Sequence, residues 1–192
     1  MSEKIYLIML AGLPGTGKST VASKIVRGLN GYEVVSQNEI RRKFGIRRMP
    51  KTQEKTLRTI DRMTCDLLIS GKGVVFDSVN RFLFRRQQIY GIAAGCGANV
   101  VTLETVCSER EAKRRIGMRN KSDRLLSDPY RTEVYDRLQG EWEPIIEDYK
   151  HPGEDHVSYV VYDSEKNTFK RIKITKGMKG FLTRIEKILL EK

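Results

Sequence analysis

The stretch Gly-Leu-Pro-Gly-Thr-Gly-Lys-Ser-Thr at positions 12–20 sets three glycines, Gly12, Gly15 and Gly17, around a lysine and three hydroxyls. It satisfies G-x-x-x-x-G-K-[ST] at Gly12, Gly17, Lys18 and Ser19. Those residue types at that spacing suit the wrapping of a phosphate chain. Glycines permit a strained turn whose backbone N–H groups point inward at phosphate oxygens. A helix opening at Lys18 turns its positive dipole end toward the same anion. Lys18 is placed to reach the β- and γ-phosphates, and the Ser19 hydroxyl to bind Mg²⁺. Gly12, Pro14, Gly15, Thr16, Gly17, Lys18, Ser19 and Thr20 are therefore expected to hold ATP with Mg²⁺. The alternative is an ordinary glycine turn with a solvated lysine. The motif by itself does not separate kinases, GTPases, ATPases and silent nucleotide binders.

The elements that must position this loop are legible around it. Residues 5–10 form a short apolar run suited to a buried parallel strand, and 19–29 carry apolar residues at helical spacing. YEVVS at 32–36 reads as a second strand, 38–44 as a short helix, and GIRRMP at 45–50 as a break. Leu57, Ile60, Met63, Leu67 and Leu68 share one face of a long helix over 53–69. VVFDS at 74–78 is the third strand and puts Asp77 at its carboxyl tip, where open sheets of this kind bind ligands. A helix over 82–95, a strand over 99–106 and a helix over 108–120 follow. KSDRLLSDPYR at 121–131 is loop-like, and 133–149 is helical until Pro144 perturbs it. HVSYVVYD and TFKRIKIT read as two strands joined at SEKN, and a final amphipathic helix starts near Gly177. Alternating strands and helices predict an α/β fold, a mostly parallel sheet of about five strands flanked by helices. The C-terminal strand pair and helix, about 156–192, are expected to complete that sheet.

With 192 residues, 39% hydrophobic and 31% charged, the chain fits one domain spanning 1–192. No apolar run approaches the ~20 residues of a membrane span, and MSEKIYLIML lacks a cleavage site, so a cytoplasmic protein is expected. Cys65, Cys96 and Cys107 lack CxxC spacing, and two histidines do not complete a zinc set. They are read as reduced, mostly buried thiols. The net charge of +12 favours a polyanionic partner.

GLPGTGKST, VVSQNEIRRKF, VVFDSVNRFLFRR, CSEREAKRRIGMRN and GEWEP occur in that order over about residues 5–150. Together they resemble the P-loop kinase family that includes the 5′-polynucleotide kinase domain of RNA repair enzymes. Zeta-type toxin kinases and small-molecule kinases are more distant relatives. The resemblance implies a P-loop kinase fold, with a helical lid over about 108–130 whose Arg115 and Arg119 contact the ATP phosphates. Their i,i+4 spacing sets both guanidinium groups on one helix face. It also implies that Asp77 lies near Mg²⁺ or the acceptor, with Asn80 and Arg81 close by; otherwise Asp77 caps the following helix. In the family a segment S-x-D-x-x-R supplies an Asp general base and an Arg for the acceptor phosphate. Here SQNEIR puts Asn38 and Arg41 at those positions.

Asparagine can accept a hydrogen bond from a hydroxyl but cannot take its proton. A general base contributes about 10²–10⁴-fold. Three explanations compete: an Asp→Asn replacement that traps a substrate complex, a carboxylate supplied by Glu39, or a natural nucleotide-binding pseudo-kinase. Glu39 is disfavoured because neighbours on a helix point about 100° apart. Residues 41–58 hold eight Arg or Lys against one Glu, and 110–124 hold seven against two acidic residues. That density on the acceptor side suits a nucleic acid end better than a small molecule. The leading reading is an ATP-dependent transferase acting on a polynucleotide 5′-hydroxyl. A small-molecule or sugar-nucleotide kinase and a silent nucleotide-binding regulatory module are the alternatives.

Overall fold

A computed structural model describes residues 5–44, 50–118, 132–150 and 156–191. The elements run β1 (Tyr6–Ala11), α1 (Lys18–Gly28), β2 (Tyr32–Ser36), α2 (Gln37–Lys43), α3 (Pro50–Ile69), β3 (Gly73–Asp77), α4 (Leu83–Gly95), β4 (Asn99–Val106), α5 (Glu109–Gly117), α6 (Glu133–Gly140), a 3-10 turn (Ile145–Lys150), β5 (Val157–Asp163), β6 (Thr168–Lys173) and α7 (Lys179–Leu190). One six-stranded sheet has the order β2-β3-β1-β4-β5-β6. The first five strands pair in parallel, and β6 joins β5 antiparallel at the edge.

Alternation along β1 explains why its sequence is apolar throughout. Ile8 and Leu10 face one side, where Val21, Ile25, Leu182 and Ile185 of α1 and α7 cover them. Leu7 and Met9 face the other, against Ile60 and Leu68 of α3 and Ile89 and Ala93 of α4. A parallel strand covered on both faces reads as a continuous apolar run instead of an alternating one.

Two boundaries depart from expectation. The helical stretch after residue 133 stops at Gly140, before Pro144, and resumes as the 3-10 turn. The long helix α3 begins at Pro50, three residues early, because proline is tolerated in a first turn. As expected, the C-terminal strand pair completes the sheet, which has six strands. The three cysteines are partly rather than mostly buried. Sγ of Cys65 and Cys96 lie 3.4 Å apart across α3 and α4, and burial pushes the Cys96 thiol up to about 11.

A buried ion pair ties the layers together. Arg86 and Asp148 are fully buried. Arg86 donates to both carboxylate oxygens of Asp148, Nε at 2.7 Å and Nη2 at 2.6 Å. The remaining donors go to Asn80 O (3.1 Å), Arg81 O (2.9 Å) and Pro144 O (3.4 Å), and Tyr90 Oη donates to Asp148 at 2.7 Å. Arginine's planar fork lets one side chain satisfy a carboxylate and three carbonyls at once. Removing one partner strands the other charge without water. Asp148→Ala is therefore expected to cost about 3–5 kcal/mol in urea unfolding. A loss below ~1 kcal/mol would contradict the buried-pair account.

Candidate functional site

The glycines of 12–19 earn their places individually. Gly12, Gly15 and Gly17 have φ of 145°, 84° and 92°, a region that side chains rarely adopt. A Cβ on Gly15 would stand 2.4 Å from Ala112 O of α5, and one on Gly12 2.5 Å from Thr105 O of β4. The turn is thus pressed between the end of β4 and α5. Thr16 braces it from inside, donating to Leu13 O at 2.8 Å and meeting Thr105 Oγ1 at 2.8 Å. Gly12 N donates to Val79 O at 3.2 Å, and Asn80 Nδ2 to Leu10 O at 2.7 Å, so the segment after β3 holds the start of the turn.

Lys18 leans back over the loop, its Nζ donating to Gly12 O (2.8 Å) and Leu13 O (2.9 Å). Ser19 Oγ donates to Asp77 Oδ2 at 2.8 Å. Parallel pairing produces that contact, since Asp77 is in register with Leu10 of β1 and with Ser36 of β2. A hydroxyl and a mostly buried carboxylate at hydrogen-bond distance form a hard-oxygen pair, the donor chemistry Mg²⁺ selects. The residues present therefore fit that ion. Pro14 is half-buried, and Thr20 is exposed in the first turn of α1.

Arg115 comes to the same loop from α5. Its Nη1 donates to Gly15 O at 3.3 Å and to Ser164 Oγ at 2.7 Å, while Nε donates to Glu111 Oε1 at 2.7 Å. Hydrogen bonds from Arg114 and Arg115 hold the Glu111 carboxyl down at about 2. The clamp on Arg115 thus persists through the physiological pH range. Glu111 lies one helical turn before Arg115, a spacing readable from sequence. Ser164 is not readable that way; it arrives on the β5–β6 turn, fixed by Ser164 N donating to Val106 O at 2.9 Å. Arg119 lies outside the described residues, as does most of the expected lid beyond Met118.

On the acceptor side, Asn38 is half-buried at the start of α2, directly after the carboxyl end of β2. Ser36 caps that helix, accepting from Glu39 N at 3.5 Å, and the Glu39 side chain is exposed. Arg41 is buried and donates to Gln53 of α3. Arg42, Lys43, Lys55 and Arg58 are exposed; Arg47 and Arg48 lie outside the described residues. Arg81 is paired to Glu141 at 2.7 Å. No helix among the described residues is long and apolar enough to cross a membrane.

A family profile described as an AAA domain matches residues 7–144. No curated protein matches the chain. Among solved structures, a candidate kinase of Chloroflexus aurantiacus J-10-fl is similar over 96% of this chain and 98% of its own, at 14% identity and TM-score 0.67. The Mycobacterium tuberculosis APS kinase CysC, in complex with AMPPNP and APS, is similar over 95% and 98%, at 14% identity and TM-score 0.58. A chain of the Pnkp1/Rnl/Hen1 complex matches 62% of this chain at 23% identity and TM-score 0.55, and the match spans 42% of that longer chain. The fold is a P-loop kinase-like α/β fold. Replacing Lys18 by Ala removes the ammonium that leans over the turn. ATP affinity measured by calorimetry is expected to drop about ten- to a hundredfold, the worth of a charged hydrogen bond; an unchanged affinity would move the nucleotide elsewhere.

Proposed function

We propose that this chain, which belongs to the AAA domain family, is an ATP-dependent phosphotransferase whose acceptor is a polynucleotide 5′-hydroxyl. The observation that carries the reading is the convergence of Lys18, Ser19, Asp77 and Arg115 on one glycine turn. Phosphoryl transfer through a loose transition state asks mainly for positioning and for cations around the transferring group. The turn's amides and Lys18 grip the phosphate chain. Arg115, permanently charged and oriented by Glu111 and Ser164, adds a second cation beside the turn. Ser19 and Asp77 would hold Mg²⁺, which when bound neutralises phosphate oxygens. Asn38 orients the acceptor hydroxyl by accepting its hydrogen bond. The exposed cations Arg42, Lys43, Lys55 and Arg58 on α2 and α3 favour an acceptor with several phosphates.

Asn38 itself favours a second reading, a nucleotide-binding module without turnover. Glu39 is exposed, and an asparagine leaves the position without a proton acceptor. The two readings part at one substitution. Asn38→Asp is expected to raise transfer to a 5′-hydroxyl oligonucleotide by about 10²–10⁴-fold in a labelled-ATP assay. No gain with any acceptor supports the silent module. The nucleic-acid acceptor has its own check. Four phosphate contacts imply that affinity for a single-stranded oligonucleotide falls about fiftyfold between 50 and 200 mM salt, from a slope of about −0.7 per contact. A flat salt response in filter binding would favour a small-molecule acceptor.

A further inference from the structure

The start of α4 is built against the interests of the helix. Ser, Thr, Asp and Asn are the residues that cap a helix N-terminus well, because their side chains accept from the first free N–H groups. Here the capping position is Phe82, which makes no such bond. The service is supplied from elsewhere: the Glu143 carboxylate accepts from Leu83 N. Nor is this a hydrophobic staple, which would join the residue before the cap to the fourth helical residue; those are Arg81 and Arg86. Instead Phe82 and Phe84 stack on each other, ring centroids 5.6 Å apart and planes 22° off parallel. The Arg81 guanidinium sits 4.1 Å from the Phe82 centroid. Phe84 is 59% exposed.

The backbone beneath the rings is held unusually firmly for a surface loop. Arg86 donates to Asn80 O and Arg81 O, Glu143 N to Arg81 O at 3.0 Å, and Arg81 pairs with Glu141. A pre-ordered aromatic surface binds without first losing rotamer entropy. Its place is also informative. The chain leaves β3 at Asp77 and reaches the rings within seven residues, so they follow the carboxyl end of the strand that carries Asp77.

We propose that Phe82 and Phe84 form a stacking platform for the terminal nucleobase of a single-stranded nucleic-acid acceptor. This rests on the polynucleotide reading above and adds to it the part of the acceptor that is gripped beyond its phosphates. A flat π-system flanked by a guanidinium matches a base's π-face, and such contacts tolerate any base. An apolar protein partner would ask for a contiguous patch of several hundred Å², whereas the Arg81 guanidinium borders these rings.

The test uses two 5′-hydroxyl oligonucleotides that differ only at the terminal residue, one with its base and one abasic, with wild type, Phe84→Ala and Phe84→Trp. Wild type is expected to bind the abasic strand about tenfold more weakly. Phe84→Ala is expected to lose the same factor on the intact strand and nothing further on the abasic one. Phe84→Trp is expected to restore discrimination, and melting curves establish that each variant is folded. If Phe84→Ala weakens both strands equally, or if wild type ignores the base while still binding both strands, the platform is wrong and the polynucleotide reading stands. If wild type binds neither strand at low salt, both readings are overturned.

Discussion

Parallel pairing of β1 with β3 is the constraint from which the site follows. It sets Leu10 opposite Asp77 and so delivers a carboxylate to the point where the glycine turn leaves the sheet. Ser19 finds that carboxylate at 2.8 Å only because α1 starts at Lys18, one turn beyond the strand. A slip of one residue in this register would send Asp77 to the opposite face, against Leu7 and Met9. The apolar packing on both faces of β1 forbids the slip. Core and chemistry are thus coupled through a single strand pair.

Charge in this protein is handled in two ways. Inside, Arg86 and Asp148 are matched donor for acceptor, and their task is to lock the segments around Asn80 and Pro144. Pairs of this sort add little net stability over apolar residues, but they fix a geometry. At the surface, Arg42, Lys43, Lys55 and Arg58 are exposed, and Arg58 pairs with its neighbour Glu54 at 2.6 Å. An exposed pair like that is worth a few tenths of a kcal/mol.

Arg115 stands between these regimes. Its carboxylate partner Glu111 is one turn away, while Ser164 reaches it from a hairpin 49 residues later. The result is a cation held against Gly15 O, pointed by neighbours rather than by its own rotamer preference. Such pointing places charge before a substrate arrives, which is where electrostatic assistance in transfer reactions comes from.

Local chemistry was readable without coordinates. Glycine spacing, the apolar runs of β1 and β3, the helical period of α3 and the i,i+4 relation of Glu111 to Arg115 all express rules that act within a few residues. Tertiary structure decided the rest. That Asp77 meets Ser19, that Thr105 and Ala112 crowd the glycines, that Ser164 reaches Arg115, and that Glu143 caps α4 in place of Phe82 each depend on segments 49 to 97 residues apart. The helix break at Gly140 ahead of Pro144 belongs with them, because the Arg86–Asp148 lock recruits the 3-10 turn. A linear sequence carries the side chains for those contacts, but only packing against a common sheet sets their distances.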